Sequence, residues 1–194
     1  MSPEHPETLR VVFLVIDVLE TLGIRYHLGG SFASSVHGLP RQTQGIDLVV
    51  DLDAANVDEL VSRLGVAFHA DGESARVAIR EGGSFNLIHF ESGLKVDLFP
   101  RGDDPFDHEE FSRGRPETVV ADPERCAFVK SPEDTVLRKL RWYRDGGEVS
   151  ERQWRDVLGV ARTQGTRLDR SYLRRWAREL GIEDLLLRAL GTEE

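Results

Sequence analysis

Two aspartates lie inside apolar runs, where a carboxylate is costly to bury. Asp47 lies in the run Ile46-Asp-Leu-Val-Val50, and Asp97 lies in the run Val96-Asp-Leu-Phe99. Because an unpaired buried charge is strongly unfavourable, each aspartate needs a partner, which is either a cation or a backbone turn. Two such aspartates on adjacent strands would share a hard divalent cation such as Mg²⁺, which prefers carboxylate oxygens. We therefore interpret the pair as candidate metal ligands, with an arginine ion pair as the alternative for each.

A glycine-rich turn precedes the first of these aspartates. The segment Leu28-Gly29-Gly30-Ser31 predicts a strand that passes through glycines into a helix N-terminus. Glycines let backbone N–H groups approach a phosphate closely, and the helix dipole favours an anion at that end. The hydroxyl of Ser31 adds one more donor. The same pattern also occurs as a purely structural turn, so by itself it indicates a phosphate site only weakly.

The front part of the chain must position these residues, and its pattern predicts alternating helices and strands. Apolar residues at helical spacing predict a first helix that stops at Gly23, and turn residues divide the rest. The elements expected up to residue 80 are a strand over 24–28, a short helix over 31–37, a buried strand over 46–52, a helix from Asp53 through Leu64 and a weaker helix over 71–80.

A hairpin is expected to carry the second aspartate. Residues 85–91 and 94–99 flank Ser92-Gly93, a two-residue turn in which Gly93 supplies the positive φ that such turns require. Residues 101–117 are polar and contain proline, glycine and charged side chains. We expect this segment to be a surface excursion around a short helix.

From Ser131 onward the periodicity is purely helical. Ser131 is a good N-cap, proline follows at the first helical position, and acidic residues occupy the first turn. The pattern predicts a helix to Arg144, a second one from Ser150 to residue 164, a third from Asp169 to residue 180 and a fourth over 182–190. We therefore predict an α/β domain over residues 1–130 and a helical domain over residues 131–194.

Composition and charge restrict the function further. The 194 residues contain one Cys, which excludes a disulfide framework and a cysteine-based zinc site. No apolar run reaches the ~18 residues of a membrane span and no basic leader is evident, so we expect a cytoplasmic protein without membrane contact. The net charge is −9, but residues 1–129 carry −11 and residues 130–194 carry +2. Only residues 130–194 therefore have a charge suited to binding a polyanion.

Taken together, these motifs resemble the nucleotidyltransferase superfamily of polymerase-β-like fold, and most closely the bacterial group that contains the AbiEii-type toxins of toxin–antitoxin systems. The segments that carry the resemblance are Gly29-Gly30-Ser31, Arg41 to Asp51, Lys95-Val-Asp97-Leu-Phe99, Ser131 to Tyr143 and Gln153-Trp-Arg-Asp156. The resemblance implies an α+β fold in which a mixed sheet is flanked by helices and followed by a C-terminal helical bundle.

The resemblance also implies an activity. Members of this superfamily transfer a nucleoside monophosphate from a nucleoside triphosphate (NTP) to an acceptor hydroxyl, and pyrophosphate leaves. The acceptor implied here is an RNA (tRNA) or a protein, and a cognate antitoxin is an implied partner. By motif position, the resemblance implies that Asp47 and Asp97 hold two Mg²⁺ ions about 3.5–4 Å apart. It also implies that Lys139 neutralises phosphate charge and that the β- and γ-phosphates are held by Gly29, Gly30 and Ser31. Arg41 contacts the nucleotide or pairs with a strand aspartate.

One position departs from the pattern of the superfamily. The metal strand there carries Asp-x-Asp, whereas this chain has Gly45 two residues before Asp47. Asp51 cannot replace the lost acid, because it lies ~13 Å further along the strand. Three interpretations remain: nucleotide binding persists without transfer, a carboxylate such as Glu91 or Asp103 fills in, or the substitution silenced an active enzyme. The last two leave the function of the superfamily intact, whereas the first makes this chain a degenerate member. The alternative function is then a catalytically degenerate module that binds nucleotide or another protein.

Overall fold

The computed structural model of the chain describes residues 5–41, 45–121 and 124–191. The chain divides into two compact units: unit 1 comprises Met1–Leu28 and Thr43–Val129, and unit 2 comprises Gly29–Gln42 and Lys130–Glu194. The division into domains 1–130 and 131–194 stays a prediction. Within the described ranges, no helix combines the length and the apolar character needed to cross a membrane.

The described residues of unit 1 contain one mixed sheet. Its strands are β1 (Tyr26–Leu28), β2 (Ile46–Val50), β3 (Phe68–Ala70), β4 (Phe85–His89), β5 (Lys95–Pro100), β6 (Arg115–Ala121) and β7 (Glu124–Val129). They lie in the order β3-β4-β5-β2-β1-β7-β6. The β2–β5 and β1–β7 pairs are parallel and the other pairs are antiparallel. The combination of helices with a mixed sheet confirms the predicted fold class.

Helices are distributed over both units. They are α1 (His5–Thr21), α2 (Gly30–His37), α3 (Val57–Leu64), α4 (Gly72–Glu81), α5 (Pro105–Ser112), α6 (Pro132–Asp145), α7 (Glu151–Gln164), α8 (Arg170–Glu179) and α9 (Glu183–Leu190). Unit 1 contains α1, α3, α4 and α5, and unit 2 contains α2 and α6–α9. The apolar faces of these helices supply much of the core of each unit, for example Val12 and Ile16 of α1 and Leu173 of α8.

The start signals predicted for the C-terminal helices are confirmed. The Ser131 hydroxyl accepts a hydrogen bond from the backbone N–H of Asp134 at 3.1 Å, so α6 begins as expected. Ser150 caps α7 in the same way, and the carboxylate of Asp169 accepts from two backbone N–H groups at the start of α8. Side-chain caps satisfy N–H groups that have no partner inside the helix.

The sequence pattern missed three strands, and one helix start was wrong. Strands β3, β6 and β7 were not predicted, and β6 begins inside the segment that we expected to be a surface excursion around a helix. Asp53 precedes a 3-10 turn at residues 54–56 rather than α3 itself, and its side chain makes no capping hydrogen bond there. Strand β3 has only three residues, and the edge strand β6 carries few buried residues. Apolar periodicity therefore does not mark them.

In unit 2, α2 packs on α7 through a glycine. A Cβ atom added at Gly38 would lie 2.8 Å from the backbone nitrogen of Val160 and 2.9 Å from the carbonyl carbon of Gly159. Both contacts are with backbone atoms, which cannot rotate away. The close approach of the two helices therefore depends on the absence of a side chain at Gly38.

We expect Gly38→Ala to lower the free energy of unfolding by about 1–3 kcal/mol, because overpacking forces the backbone apart. The matched control is Gly83→Ala, since a Cβ atom there meets nothing within 4 Å. Thermal and urea denaturation of both variants measures the difference. Equal stability of the two variants would contradict the packing of α2 on α7.

Candidate functional site

The two strand aspartates are direct neighbours in unit 1. Strands β2 and β5 run parallel, and in their register Asp47 is the partner of Asp97. Along β2, Ile46, Leu48 and Val50 are buried while Asp47 is half-buried, and Asp97 alternates with buried neighbours in the same way on β5. Since alternate residues of a strand face opposite sides, both carboxylates lie on the same, less buried face of the sheet. The pairing inferred from the two similar sequence runs is present.

The buried carboxylate oxygen of Asp97, Oδ1, lacks a hydrogen-bond donor among the described residues. The Nζ atom of Lys95 lies 3.8 Å from that oxygen, which is beyond hydrogen-bond distance, and the lysine side chain is half exposed. A buried carboxylate oxygen of this kind favours a bound cation.

Gly45 leaves space beside this carboxylate. A Cβ atom added at Gly45 would lie 3.7 Å from Oδ2 of Asp97, which is an ordinary van der Waals contact. An aspartate at position 45 would therefore project next to Asp97 without a clash at its Cβ. The structure thus has room for a side chain at position 45, and the loss of a metal ligand through Gly45 stays a prediction.

The two carboxylates suggested as replacements for the missing acid have other partners. Glu91 pairs with Arg10 at 3.4 Å, and the exposed carboxylate of Asp103 lies 3.8 Å from Nη1 of Arg101. Among the residues that the structure describes, no three His, Cys, Asp or Glu side chains form a group that could hold a metal ion. The chemistry of Asp47 and Asp97 fits one Mg²⁺ ion, which would need further oxygen ligands to complete its shell. The two aspartates do not supply the larger carboxylate set of a two-ion site.

Asp51, at the end of β2, has a different environment. Its carboxylate accepts hydrogen bonds from Nη2 of Arg25 at 2.5 Å and from Nε of Arg101 at 3.1 Å. Burial alone would raise the pKa of Asp51, but the two arginines outweigh it, and the pKa lies below its ordinary value. Asp51 is thus an ion-pair residue, in agreement with the expectation that it cannot serve the Asp47 position.

The glycine–serine turn lies at the start of unit 2. Gly29 precedes α2, and its carbonyl oxygen accepts a hydrogen bond from the backbone N–H of Ala33 at 3.0 Å. Gly30 begins the helix with φ at 52°, in the left-handed region that favours glycine. Gly29 at the N-cap position makes no side-chain capping hydrogen bond, and the N-terminus of a helix is an end that favours an anion.

Lys139 and Arg41 meet on one carboxylate in unit 2. Nζ of Lys139 donates to Oδ2 of Asp156 at 2.9 Å and to the side-chain oxygen of Gln153 at 2.8 Å. Arg41 makes a two-pronged contact with the same carboxylate, with Nε at 2.8 Å and Nη2 at 2.9 Å. In unit 2, Arg41 therefore pairs with an aspartate of helix α7, and its suggested pairing with a strand aspartate stays a prediction.

The charges in this cluster support one another. Burial would raise the pKa of Asp156, but hydrogen bonds from Arg41 and Lys139 outweigh it, so the pKa lies below its ordinary value. The hydrogen bond with Asp156 raises the pKa of Arg41 in turn. Lys139 is buried and keeps its ammonium hydrogen-bonded to Asp156. The nucleotide contacts expected of Lys139 and Arg41 stay predictions.

Comparison with known proteins rests on structure, because no protein-family model and no curated protein sequence matches the chain. The antibiotic-resistance factor ANT(2'')-Ia, solved in complex with adenylyl-2''-tobramycin, aligns at a TM-score of 0.56 with 14% identity, over 88% of this chain and 96% of that one. An antigenic nucleotidyltransferase-like protein from Paracoccidioides brasiliensis aligns at 0.56 with 15% identity, over 96% and 94%. A candidate nucleotidyltransferase from Thermotoga maritima aligns at 0.51 with 17% identity, over 78% and 94%.

These likenesses define the class of fold. The chain has the nucleotidyltransferase fold, which confirms the fold that the sequence motifs implied. At such low identity the comparison extends to the fold and not to activity or substrate. The closer resemblance to the AbiEii-type toxins stays a prediction of the sequence motifs.

The shared carboxylate yields a stability prediction. We expect Asp156→Asn to lower the free energy of unfolding by about 3 kcal/mol, because it leaves the buried Lys139 ammonium without its counter-ion. The control is Asp184→Asn, which removes an exposed pair with Arg144 and should cost less than about 1 kcal/mol.

The pH dependence of this effect follows from the lowered pKa of Asp156. Its stabilising contribution is fully present above the ordinary pKa of a carboxyl group, and it disappears as the pH falls through the lowered value. Urea denaturation at pH 7 and at decreasing pH should therefore show the wild type and Asp156→Asn converging in acid. A constant difference between them would contradict the account.

Proposed function

We propose that the protein binds an NTP with one divalent metal ion and transfers the nucleoside monophosphate to an acceptor hydroxyl. The observation that carries the proposal is the register pairing of Asp47 with Asp97 on one face of the sheet. This pairing occurs in a nucleotidyltransferase fold and leaves one buried carboxylate oxygen without a hydrogen-bond donor among the described residues. Carboxylates paired in this way are suited to bind a metal ion that carries triphosphate.

The proposed reaction is an in-line substitution at phosphorus. The acceptor oxygen forms a bond to the α-phosphorus, the bond from that phosphorus to the bridging oxygen breaks, and pyrophosphate leaves. The acceptor hydroxyl gives its proton to solvent. A bound Mg²⁺ ion would offset negative charge on the phosphates. Asp47 and Asp97 would hold and orient such an ion through their carboxylate oxygens.

We assign phosphate contacts to unit 2. The backbone N–H groups at Gly29, Gly30 and Ser31 lie at the start of α2, where the helix dipole favours an anion. Lys139 and Arg41 are the cations that we assign to the triphosphate. Asp156 fixes the guanidinium and the ammonium groups in place, so they are already ordered before substrate binds.

The acceptor that we propose is a hydroxyl of an RNA, such as tRNA, or of a protein. The sequence motifs favour these acceptors, and they also favour a toxin–antitoxin role with a cognate antitoxin as partner. The arginine-rich helical part, with a net charge of +2 over residues 130–194, suits an anionic acceptor. An aminoglycoside hydroxyl is the comparison acceptor, because ANT(2'')-Ia was solved with adenylyl-2''-tobramycin.

A second candidate function is nucleotide binding without transfer. Gly45 favours it, because the described residues offer two carboxylates to the metal and no third acid close to them. Such a protein would regulate or scaffold a partner through its nucleotide-bound state. The two functions differ in one measurable property, which is turnover.

The test is a transfer assay with radiolabelled NTPs, Mg²⁺ and three acceptor pools: total RNA, total protein and an aminoglycoside. We expect the wild type to label the RNA or protein pool and Asp97→Asn to lose labelling by on the order of 10²-fold or more. Gly45→Asp should increase labelling, because it adds a carboxylate next to Asp97. Thermal melts check that each variant is folded.

Calorimetric titration of the same variants with NTP separates the two candidate functions. Nucleotide binding by the wild type without labelling of any pool, combined with labelling by Gly45→Asp, would establish the binding function in place of transfer. If the wild type and Gly45→Asp neither bind an NTP nor label any pool, both candidate functions are wrong.

A further inference from the structure

The sheet places a third oxygen-bearing side chain in line with the two aspartates. In the register of β4 with β5, Asn86 is the direct partner of Asp97, and Asp97 is the direct partner of Asp47 on β2. The three residues therefore form one row across three neighbouring strands, and Asp97 lies in the middle. This placement follows from the strand pairing alone.

The burial pattern places all three side chains on the same face. Phe85, Leu87 and His89 of β4 are buried, whereas Asn86 is exposed. Its neighbours in register follow the same alternation, since Phe85 pairs with the buried Leu98 and Asn86 pairs with the half-buried Asp97. Directly opposed residues of an antiparallel pair share a face, with Cβ atoms about 4.5–5.5 Å apart.

We propose that Asn86 donates its side-chain carbonyl oxygen as a ligand to the divalent cation held by Asp97. The inference rests on the proposed function, because it concerns the same metal ion. It assigns a neutral oxygen ligand to a site that lacks the acid at Gly45. The ligand set is then two carboxylates and one carboxamide, completed by water or phosphate oxygens.

The distances available across the strand pair suit such an ion. A Mg²⁺ ion binds oxygen at 2.0–2.1 Å in octahedral geometry, so adjacent ligand oxygens lie about 3 Å apart. Side chains whose Cβ atoms face each other across an antiparallel pair can bring their terminal oxygens to that separation. Carbonyl and carboxylate oxygens are the donors that Mg²⁺ and Mn²⁺ prefer.

The side chain of Asn86 has no competing role within the described residues. It makes no hydrogen bond or ion pair there. Asparagine is also depleted in strands, because it packs poorly on a pleated surface. Strand propensity therefore does not explain why an asparagine occupies this position of β4. Since its side chain has no partner among the described residues, its carbonyl oxygen is available to bind an ion.

A neutral third ligand changes the expected affinity. Two carboxylates and a carboxamide carry a charge of −2 in place of the −3 of three carboxylates. Metal affinity rises with the charge of the ligands, so we expect weaker binding of the free ion than a three-acid site would give. Triphosphate oxygens would then supply much of the remaining attraction.

The experiment titrates the full-length protein with Mn²⁺ and follows the free ion by electron paramagnetic resonance, without nucleotide. We expect Asn86→Ala to weaken Mn²⁺ binding on the order of tenfold, the lower end of the loss seen when a group that supports a metal site is removed. Asn86→Asp should strengthen it, because it restores a third carboxylate. The matched control is Asn56→Ala, since Asn56 is also exposed in unit 1 and its side chain caps no helix.

Asp97→Asn separates failure of this inference from failure of the proposed function. If the wild type binds Mn²⁺ and Asp97→Asn abolishes binding, but Asn86→Ala behaves like Asn56→Ala, the assignment of Asn86 is overturned and the metal site stands. If the wild type binds no Mn²⁺, with or without an added NTP, the inference and the metal-dependent function are both wrong. Thermal melts of Asn86→Ala that match the wild type exclude misfolding as the cause of a loss.

Discussion

Parallel pairing of β2 with β5 brings two carboxylates side by side, and the candidate site depends on this contact. Neighbouring strands lie about 4.8 Å apart, so Asp47 and Asp97 face each other at a distance where like charges repel. The only cation that the described residues place near Asp97 is Lys95, and it stays 3.8 Å from the buried Oδ1. A divalent ion would turn this repulsion into attraction. Gly45 and Asn86 are relevant to the site because both lie next to the carboxylate of Asp97.

The local part of the fold could be predicted from the sequence. Ser131, Ser150 and Asp169 marked helix starts because a capping side chain bonds N–H groups only a few residues ahead, and the structure contains all three caps. The order of the strands could not be predicted, since it depends on pairing between residues far apart in the chain. Strand β6 was missed because an edge strand with few buried side chains lacks the apolar alternation that marks a strand.

The residues of the candidate site could likewise be predicted only in part. The aspartates in their apolar runs could be found from sequence, because a carboxylate in a buried strand demands a partner whatever the fold. Asn86 was missed, because it is neutral, and only the register shows that it faces Asp97. The ion pair between Arg41 and Asp156 was also missed, because the two residues are 115 positions apart. Its signal was present in the Gln153-Trp-Arg-Asp156 segment, but sequence alone did not connect that aspartate to Arg41.

The most direct test of the account is a crystal structure of the wild-type protein soaked with Mn²⁺ and a non-hydrolysable NTP, with the metal located by its anomalous scattering. The account predicts a peak about 2.1 Å from carboxylate oxygens of both Asp47 and Asp97. A fully bound nucleotide with no anomalous peak at these carboxylates, or with a peak held by other side chains, would contradict it.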